Sequence, residues 1–417
     1  MLDINKIREN KQVIEAALLK RMSADKFDLD EIINLDDQRR QLIQQIDEMK
    51  SERNQGSKTK PTPENIEQMK ILGERIRNTE NELNKIVKIF YDKMIELTNI
   101  SADDVAAGGK ENNTVTSVFG EKAEFKFAFQ DHVELATKLK LIDYERAAKM
   151  SGNGFWVYSG LGAELEWALL NYFIDFHRKN KYTFLIPPFL LNEKSAYISG
   201  HLPKFRDDLY WTQDGNCLNA TSEMMLGNYH SNEILVEKDL PLKYFAYSTC
   251  FRREAGGYRK EERGMIRGHQ FNKIEMFALC NPDDSWNIFD ELLNNAKKLV
   301  EGLGLHYRAS KLAAGDCSAS MAKTCDIEVW IPSMEIYKEV SSVSNALEYQ
   351  ARRGKIRYRN NQTEKTEFVH TLNASGLATS RLIPAILEQF QQKDGSVIIP
   401  KVLHKYMNGI KKIKPLK

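Results

Sequence analysis

The residues best suited to chemistry concentrate between Phe251 and Phe277, FRREAGGYRKEERGMIRGHQFNKIEMF. Its two ends read as strands around a long polar loop. Alternation puts Arg252 and Glu254 on one face of the first strand, and Phe271, Lys273, Glu275 and Phe277 on one face of the second. A surface carrying Arg252, Glu254, Phe271 and Glu275 offers a guanidinium, an aromatic plane and two carboxylates. Those groups can hold a nucleoside triphosphate beside an ammonium-bearing acid. A charged hairpin facing solvent satisfies the same alternation, so the surrounding elements must decide.

Residues 27 to about 98 differ from everything after them, being nearly free of aromatics and rich in Glu, Gln, Lys and Arg. Met69, Ile76, Leu83, Phe90 and Leu97 recur every seven residues, with Leu72, Ile86, Val87 and Met94 between them. Leu35, Leu42 and Met49 repeat at the same period, with Ile46 beside them. This is a coiled-coil seam. Gln55 to Pro63 interrupts it, so two helices, about 27–56 and 64–98, are expected to run antiparallel as an arm some ~45–50 Å long. Lys50, Arg53, Lys58 and Lys60 mark its tip, opposed only by Glu52. They suit phosphate contact, although dimerisation or spacing would explain the arm as well. Residues 1–26 read as a helical cap at its base and 99–120 as a linker.

The chain has 60 Lys and Arg against 58 Asp and Glu, so any polyanion surface must be local. Five scattered cysteines without a CxxC pair point to reduced thiols, with no disulfide frame and no zinc expected. MLDINKIREN lacks the apolar run of a signal peptide, and the apolar windows are short and broken by proline. A soluble cytoplasmic protein without membrane partners is expected.

From about 121 helices and strands mix. Helices are expected at 132–140, 143–150, 162–179 and 284–303, and one from Gly376 to Gln392 after a loop Asn373–Gly376. Strands are expected at 182–191, 243–251, 270–277, 327–331 and 336–340. The prolines Pro187 and Pro188 place the first of these at an edge or subunit contact. Strands arrive as hairpins, which favours an antiparallel sheet. GxGxxG after a strand and GxxxxGK[ST] are both missing, so a bound ATP would lie on a sheet surface.

With these motifs in order, the chain resembles a bacterial-type seryl-tRNA synthetase, a class II aminoacyl-tRNA synthetase, over essentially its whole length. Motif 1 (about 177–188) ends at Pro187-Pro188; motif 2 (251–277) carries FRxE, HQF and Glu275; motif 3 (373–392) carries Gly376-Leu377-Ala378-Thr379-Ser380-Arg381. Sharper for the seryl enzymes are Thr221-Ser222-Glu223, the string Glu339 to Asn345, Gln350-Ala351-Arg352-Arg353 and HTLNxSGLA at His370 to Ala378. The resemblance implies an α+β fold: a class II antiparallel β-sheet catalytic domain flanked by helices (111–417), with an N-terminal antiparallel coiled-coil arm in a tRNA-binding domain (1–110).

It also implies a serine–tRNA ligase that forms seryl-adenylate from L-serine and ATP, then charges tRNA(Ser) and, where it occurs, tRNA(Sec). The implied catalytic residues are Arg252, Arg381 and Glu275. ATP would be held by Arg252, Arg253, Glu254, Gly268, His269, Gln270, Phe271, Glu339, Val340, Ser341, Ser342 and Arg381. In that set Arg252 takes the α-phosphate, Arg381 the γ-phosphate, and Phe271 stacks on adenine. Serine would meet Thr221, Ser222, Glu223, Arg252, Glu275, Asn373 and Ser375. Glu339 and Ser342 would ligate Mg²⁺ that accompanies ATP. The tRNA, bridging a homodimer, would meet Lys50, Arg53, Lys58, Lys60, Arg259 and Lys260. The chain departs from the family pattern at Asn219-Ala220, Cys325, Lys338, Ala374, Ser380 and the loop 257–262. A paralogue that adenylates serine for another acceptor or for resistance, and an inactive RNA-binding regulator, are the competing readings.

Overall fold

Two long helices, α1 (Leu29–Gly56) and α2 (Pro63–Glu96), form the arm within two residues of the expected bounds. Each start is locally encoded. The Asp28 side chain accepts from the Glu31 N–H, and Thr62 caps the Asn65 N–H with Pro63 in the first turn. Leu35, Leu42 and Ile46 are buried on α1, and Leu72, Ile76, Phe90 and Met94 on α2. The heptad seam is therefore the contact face. At the base, Ile7 and Leu18 of two short helices (Ile4–Glu9 and Lys11–Leu19) pack with Leu29, Ile32, Leu35, Phe90, Met94 and Leu97.

The structure, a computed structural model, describes residues 1–58, 62–255 and 264–415. Two compact units divide the chain, Met1–Ile100 and Ser101–Lys417. Residues 101–113 join the second unit: the Ala102 N–H donates to the Ala322 carbonyl, and the Ala314 N–H to that of Ala106. The segment 99–120 is thus not a linker, since Thr114–Phe119 is itself an edge strand, β1. Its alternating β-branched residues carried that signal, but exposure on both faces hid it.

The larger unit is built on an eight-stranded sheet. After β1 its strands are β2 (Thr183–Leu185), β3 (Leu242–Phe251), β4 (Gln270–Cys280), β5 (Tyr307–Lys311), β6 (Lys323–Ile331), β7 (Ile336–Leu347) and β8 (His370–Ala378). Their order is β1-β5-β6-β7-β8-β4-β3-β2. Every pairing is antiparallel except β2 with β3. The motif 1 run yields only the short edge strand β2 before Ile186 and the two prolines, as proline at an edge requires.

Side-chain alternation divides the sheet into a core face and a chemical face. Ile274, Met276, Ala278 and Cys280 of β4 join Phe245, Val343, Leu372 and Ala374 in the main core. Leu165, Leu169 and Phe173 of α3 (Leu161–Lys179), Leu292 and Leu299 of α4 (Ser285–Leu303), and Leu382 and Ile386 of α5 (Thr379–Gln389) close that core. The opposite face carries Phe271, Lys273 and Glu275. Motif 3 corrects an expectation here: Asn373–Gly376 is not a loop but part of β8, and the helix starts only at Thr379. Five cysteines are buried thiols.

Candidate active site

The chemical face of β4, β6, β7 and β8, with Arg252 and Glu254 just past the end of β3, floors a cavity of about 1020 Å³. Thr221, Glu223, Arg252, Glu254, Glu275, Glu339, Ser342, Asn373, Ser375 and Arg381 all line it. These are most of the charged and hydroxyl groups expected to meet ATP or serine, drawn from stretches 160 residues apart.

Register explains the convergence. Glu275 pairs with Ala246 and with Ser375, and Lys273 with Ser248, so strands on both sides present the same face. The strand β3 ends at Phe251, one residue before Arg252, and Glu254 lies at φ +52. Arg252 and Glu254 therefore do not share a strand face as alternation suggested, although both reach the cavity. The Arg252 guanidinium lies 5.2 Å from the Phe271 ring centroid and donates through Nε to the Ala220 carbonyl at 3.3 Å. Glu254 accepts from Arg267 Nε at 2.5 Å. Arg381 is fixed by backbone oxygens, donating to Ile266 at 3.1 Å and Glu339 at 2.7 Å.

At the amino-acid end, the Asn373 amide donates to Glu275 Oε1 at 3.3 Å. Buried Lys273 donates to Thr221 Oγ1 at 2.6 Å and stands 2.6 Å from Glu275 Oε2. Burial, with the nearby Glu275 charge, pushes the Glu223 carboxyl up to about 7, against the Gln350 amide and the Lys273 and Arg252 cations. His201 also lines the cavity. Burial pushes its imidazole down to about 3, with Arg252 and Lys273 adding to the effect, so it is neutral.

On the strands β6 and β7, Asp326 faces Ser342 and Glu328 faces Glu339 in register. Asp326 Oδ1 is a buried oxygen with no hydrogen-bond partner. Burial and the Glu339 charge push the Asp326 carboxyl well above the ordinary range. Crowded hard oxygens of this kind fit a divalent cation. Among the described residues no three His, Cys, Asp or Glu side chains make a complete metal site. A cation held by Glu339 and Ser342 would therefore draw further ligands from phosphate or water.

Some expected contacts lie elsewhere. Ser222 Oγ donates to Ser248 Oγ at 2.7 Å, Ser341 Oγ donates to the Ser375 carbonyl at 2.7 Å, and Val340 is in the core. None of the three lines the cavity, nor do Arg253, Gly268, His269, Gln270 and Phe271. Arg253 and Gln270 are exposed, and the Arg253 N–H donates to the Asp208 carbonyl. His269 meets the Arg252 carbonyl at 3.0 Å. Gly268 lies against Trp156, where a Cβ would come within 2.1 Å of the ring. On the arm, Lys50 pairs with Glu80 at 2.7 Å, so Glu52 is not the only acid opposing the tip cations. Lys60, Arg259, Lys260 and the loop 257–262 lie outside the described residues.

Behind the sheet, buried Glu166 of α3 accepts at Oε1 from Asn272 Nδ2 and Thr379 Oγ1, each at 2.7 Å. It links α3 to motifs 2 and 3. Burial pushes its carboxyl up to about 7, opposed by the Thr379 and Asn272 bonds.

Residues 1–101 match the family model for the seryl-tRNA synthetase N-terminal domain, and residues 210–390 that for the class II tRNA synthetase core domain (G, H, P, S and T). The chain is 52% identical to serine–tRNA ligase 2 of Clostridium acetobutylicum over 98% of this chain and 99% of that protein. The chain belongs to the seryl-tRNA synthetase family. Its fold matches the Pyrococcus horikoshii seryl-tRNA synthetase complexed with ATP at TM-score 0.92 and 34% identity, covering all of both chains. It also matches the cytoplasmic serine–tRNA ligase of Naegleria fowleri in complex with AMP at TM-score 0.87 and 31% identity, over 100% of this chain and 99% of that one.

Two departures from the family pattern are placed by the sheet. Ala374 and Cys325 point into the main core, away from the cavity. Ala220 does reach the cavity, where its carbonyl holds Arg252.

Proposed function

We propose that this chain is a serine–tRNA ligase: it activates L-serine with ATP to seryl-adenylate, releases pyrophosphate, and transfers serine to the 3′ end of tRNA(Ser) and, where it occurs, tRNA(Sec). The observation that carries this is the single cavity in which Arg252 and Arg381 flank a carboxylate-rich pocket formed by Glu223 and Glu275. Cations at one end suit a triphosphate. At the other, Glu223 beside the Glu275–Lys273 pair makes two carboxylates against one lysine, which suits an ammonium. The serine carboxylate attacks the α-phosphorus, and charge developing there falls beside Arg252. Arg381 takes the γ-phosphate and Phe271 offers its ring to adenine. Glu275 holds the serine ammonium, while Thr221, Ser375 and Asn373 surround the side chain. No protein nucleophile is required; position and charge neutralisation supply the rate.

Glu339 and Ser342 would hold the Mg²⁺ that travels with ATP, which supplies charge neutralisation on the phosphates. The arm, through Arg53, Lys58 and Lys60, meets the tRNA. A cytoplasmic homodimer fits the exposed Trp167, Ile186 and Leu190 around motif 1. Among the described residues no helix is long and apolar enough to cross a membrane.

Two assays test the reading. Serine-dependent ATP–pyrophosphate exchange is expected, and its absence with every amino acid would overturn the enzyme assignment. Deleting residues 30–95 should spare exchange and abolish charging of purified tRNA with labelled serine; undiminished charging would make the arm merely structural.

A further inference from the structure

The string Gln350-Ala351-Arg352-Arg353 marks the family in the sequence without suggesting any chemistry. In the structure Gln350 is 1% exposed, on the short helix Tyr349–Gly354, and all the hydrogen-bonding directions of its amide nitrogen are used. Nε2 donates to the Ser199 carbonyl at 2.9 Å and to Glu223 Oε1 at 2.6 Å. Oε1 accepts from the Thr371 hydroxyl at 2.7 Å. A backbone carbonyl can only accept, so the amide cannot be turned over without setting oxygen against oxygen at Ser199. Its orientation is therefore chemically fixed.

That orientation reaches into the cavity. Because Gln350 donates to Glu223 Oε1, any proton on Glu223 must sit on Oε2, and Oε2 is the oxygen left for a ligand. The neighbouring Thr221 is oriented in the same way. Lys273 can only donate, so Thr221 Oγ1 accepts from it, and the Thr221 hydroxyl hydrogen remains available. The pocket wall thus presents an acceptor beside a donor.

We propose that Gln350 is a positioning residue for amino-acid recognition: it locks Glu223 so that Oε2 faces the substrate as an oriented acceptor for one of its N–H or O–H donors. This rests on the serine-activating reading above. Groups acting on Glu223 are Glu275 and Lys273 on β4 and Arg252 after β3; His201, which is neutral, lines the same cavity. Gln350 is the neutral donor among them, and its bond favours the charged form of Glu223.

The test compares wild type, Gln350→Met and Thr371→Val by ATP–pyrophosphate exchange with serine and ATP each varied, over pH 5.5 to 8.5. Gln350→Met keeps the length and removes both donor and acceptor. It should raise KM for serine at least tenfold, leave KM for ATP within twofold, and move the acid limb of kcat/KM for serine to higher pH. Thr371→Val frees only the far end of the amide and should raise KM for serine two- to fivefold, so the claim stays testable if the first variant folds poorly. Folded variants with wild-type KM for serine and an unmoved pH limb would overturn the proposal. So would equal rises in KM for serine and ATP. Wild type that shows no serine-dependent exchange would instead defeat the functional reading itself.

Discussion

Each unit of the chain buries an acid, and the two are treated in opposite ways. In the N-terminal unit Asp36 is fully buried and meets Arg8 at 2.9 Å, Arg39 at 2.5 Å and Arg40 at 2.8 Å. Burial alone would raise its carboxyl, but hydrogen bonds from Arg39 and Arg8 outweigh it and hold the group below the usual range. In the catalytic unit Glu223 is also buried, and its proton is held up to about 7. The lesson is about who supplies the counter-charge. A structural acid carries its cations permanently. A binding acid, set beside another carboxylate, is left short of positive charge that a substrate ammonium can provide.

The largest break in that comparison is Arg252→Ala. Arg252 touches the protein through one long bond and a ring face, so its loss should lower serine-dependent exchange by roughly 10³-fold with little change in Tm. Retained exchange would remove its phosphate role. Glu275→Gln comes next. KM for serine should rise on the order of 10²-fold, because the substrate ammonium loses its carboxylate, with a smaller loss of Tm from the broken Lys273 pair; a fall in Tm without a change in KM would reverse the assignment.

Asp36→Asn should do the converse, leaving exchange untouched and costing about 2 kcal/mol, since three partly exposed guanidinium groups lose their common partner. Hydrogen exchange at Leu29–Leu35 and Phe90–Leu97 reads it. Glu166→Gln tests the raised acids through pH. The folded-state pKa of about 7 lies above the ordinary 4.5, so between these values the unfolded chain has lost a proton that the folded chain keeps. Wild-type stability should therefore fall as pH rises from 4.5 to 7 and then level. The variant should gain on wild type by about 3 kcal/mol at pH 8 and almost nothing at pH 4.5. Thermal melts of the catalytic unit across pH measure the difference. Asp36 predicts the opposite slope, with stability lost only in acid below about pH 4. The smallest effect is Lys50→Ala. Its pairing with Glu80, both partners 43% exposed, contributes less than about 0.5 kcal/mol. It should raise KM for tRNA less than Lys58→Ala does.

What the sequence reveals follows from what is local. Heptads, strand alternation and the order of the family motifs give the arm, the antiparallel sheet and the groups facing the cavity. Partnership across the fold is not local. Lys273 shares a face with Glu275 in the sequence pattern, but nothing there says that it is buried against Thr221. Gln350 reads as a signature and Glu166 as an ordinary helix position, because their partners lie 127 and 106 residues away. Asp326 gains meaning only through its register with Ser342. The motif 3 loop fails as an expectation because Asn, Ala, Ser and Gly look like turn residues. In β8 they alternate, with Asn373 and Ser375 on the cavity and Ala374 in the core.

The arm gives Asp36 one further significance. At about 1.5 Å per residue the 34 residues of α2 extend ~51 Å, so a rotation of about 5° at one end displaces the other by about 4 Å. That exceeds the length of a hydrogen bond. A long lever turns angular slack at its base into positional error at its tip, so the base contacts that cross between elements, the Arg8–Asp36 pair and the apolar cluster of Ile7, Leu18, Phe90 and Met94, carry a weight that their distance from the tip conceals.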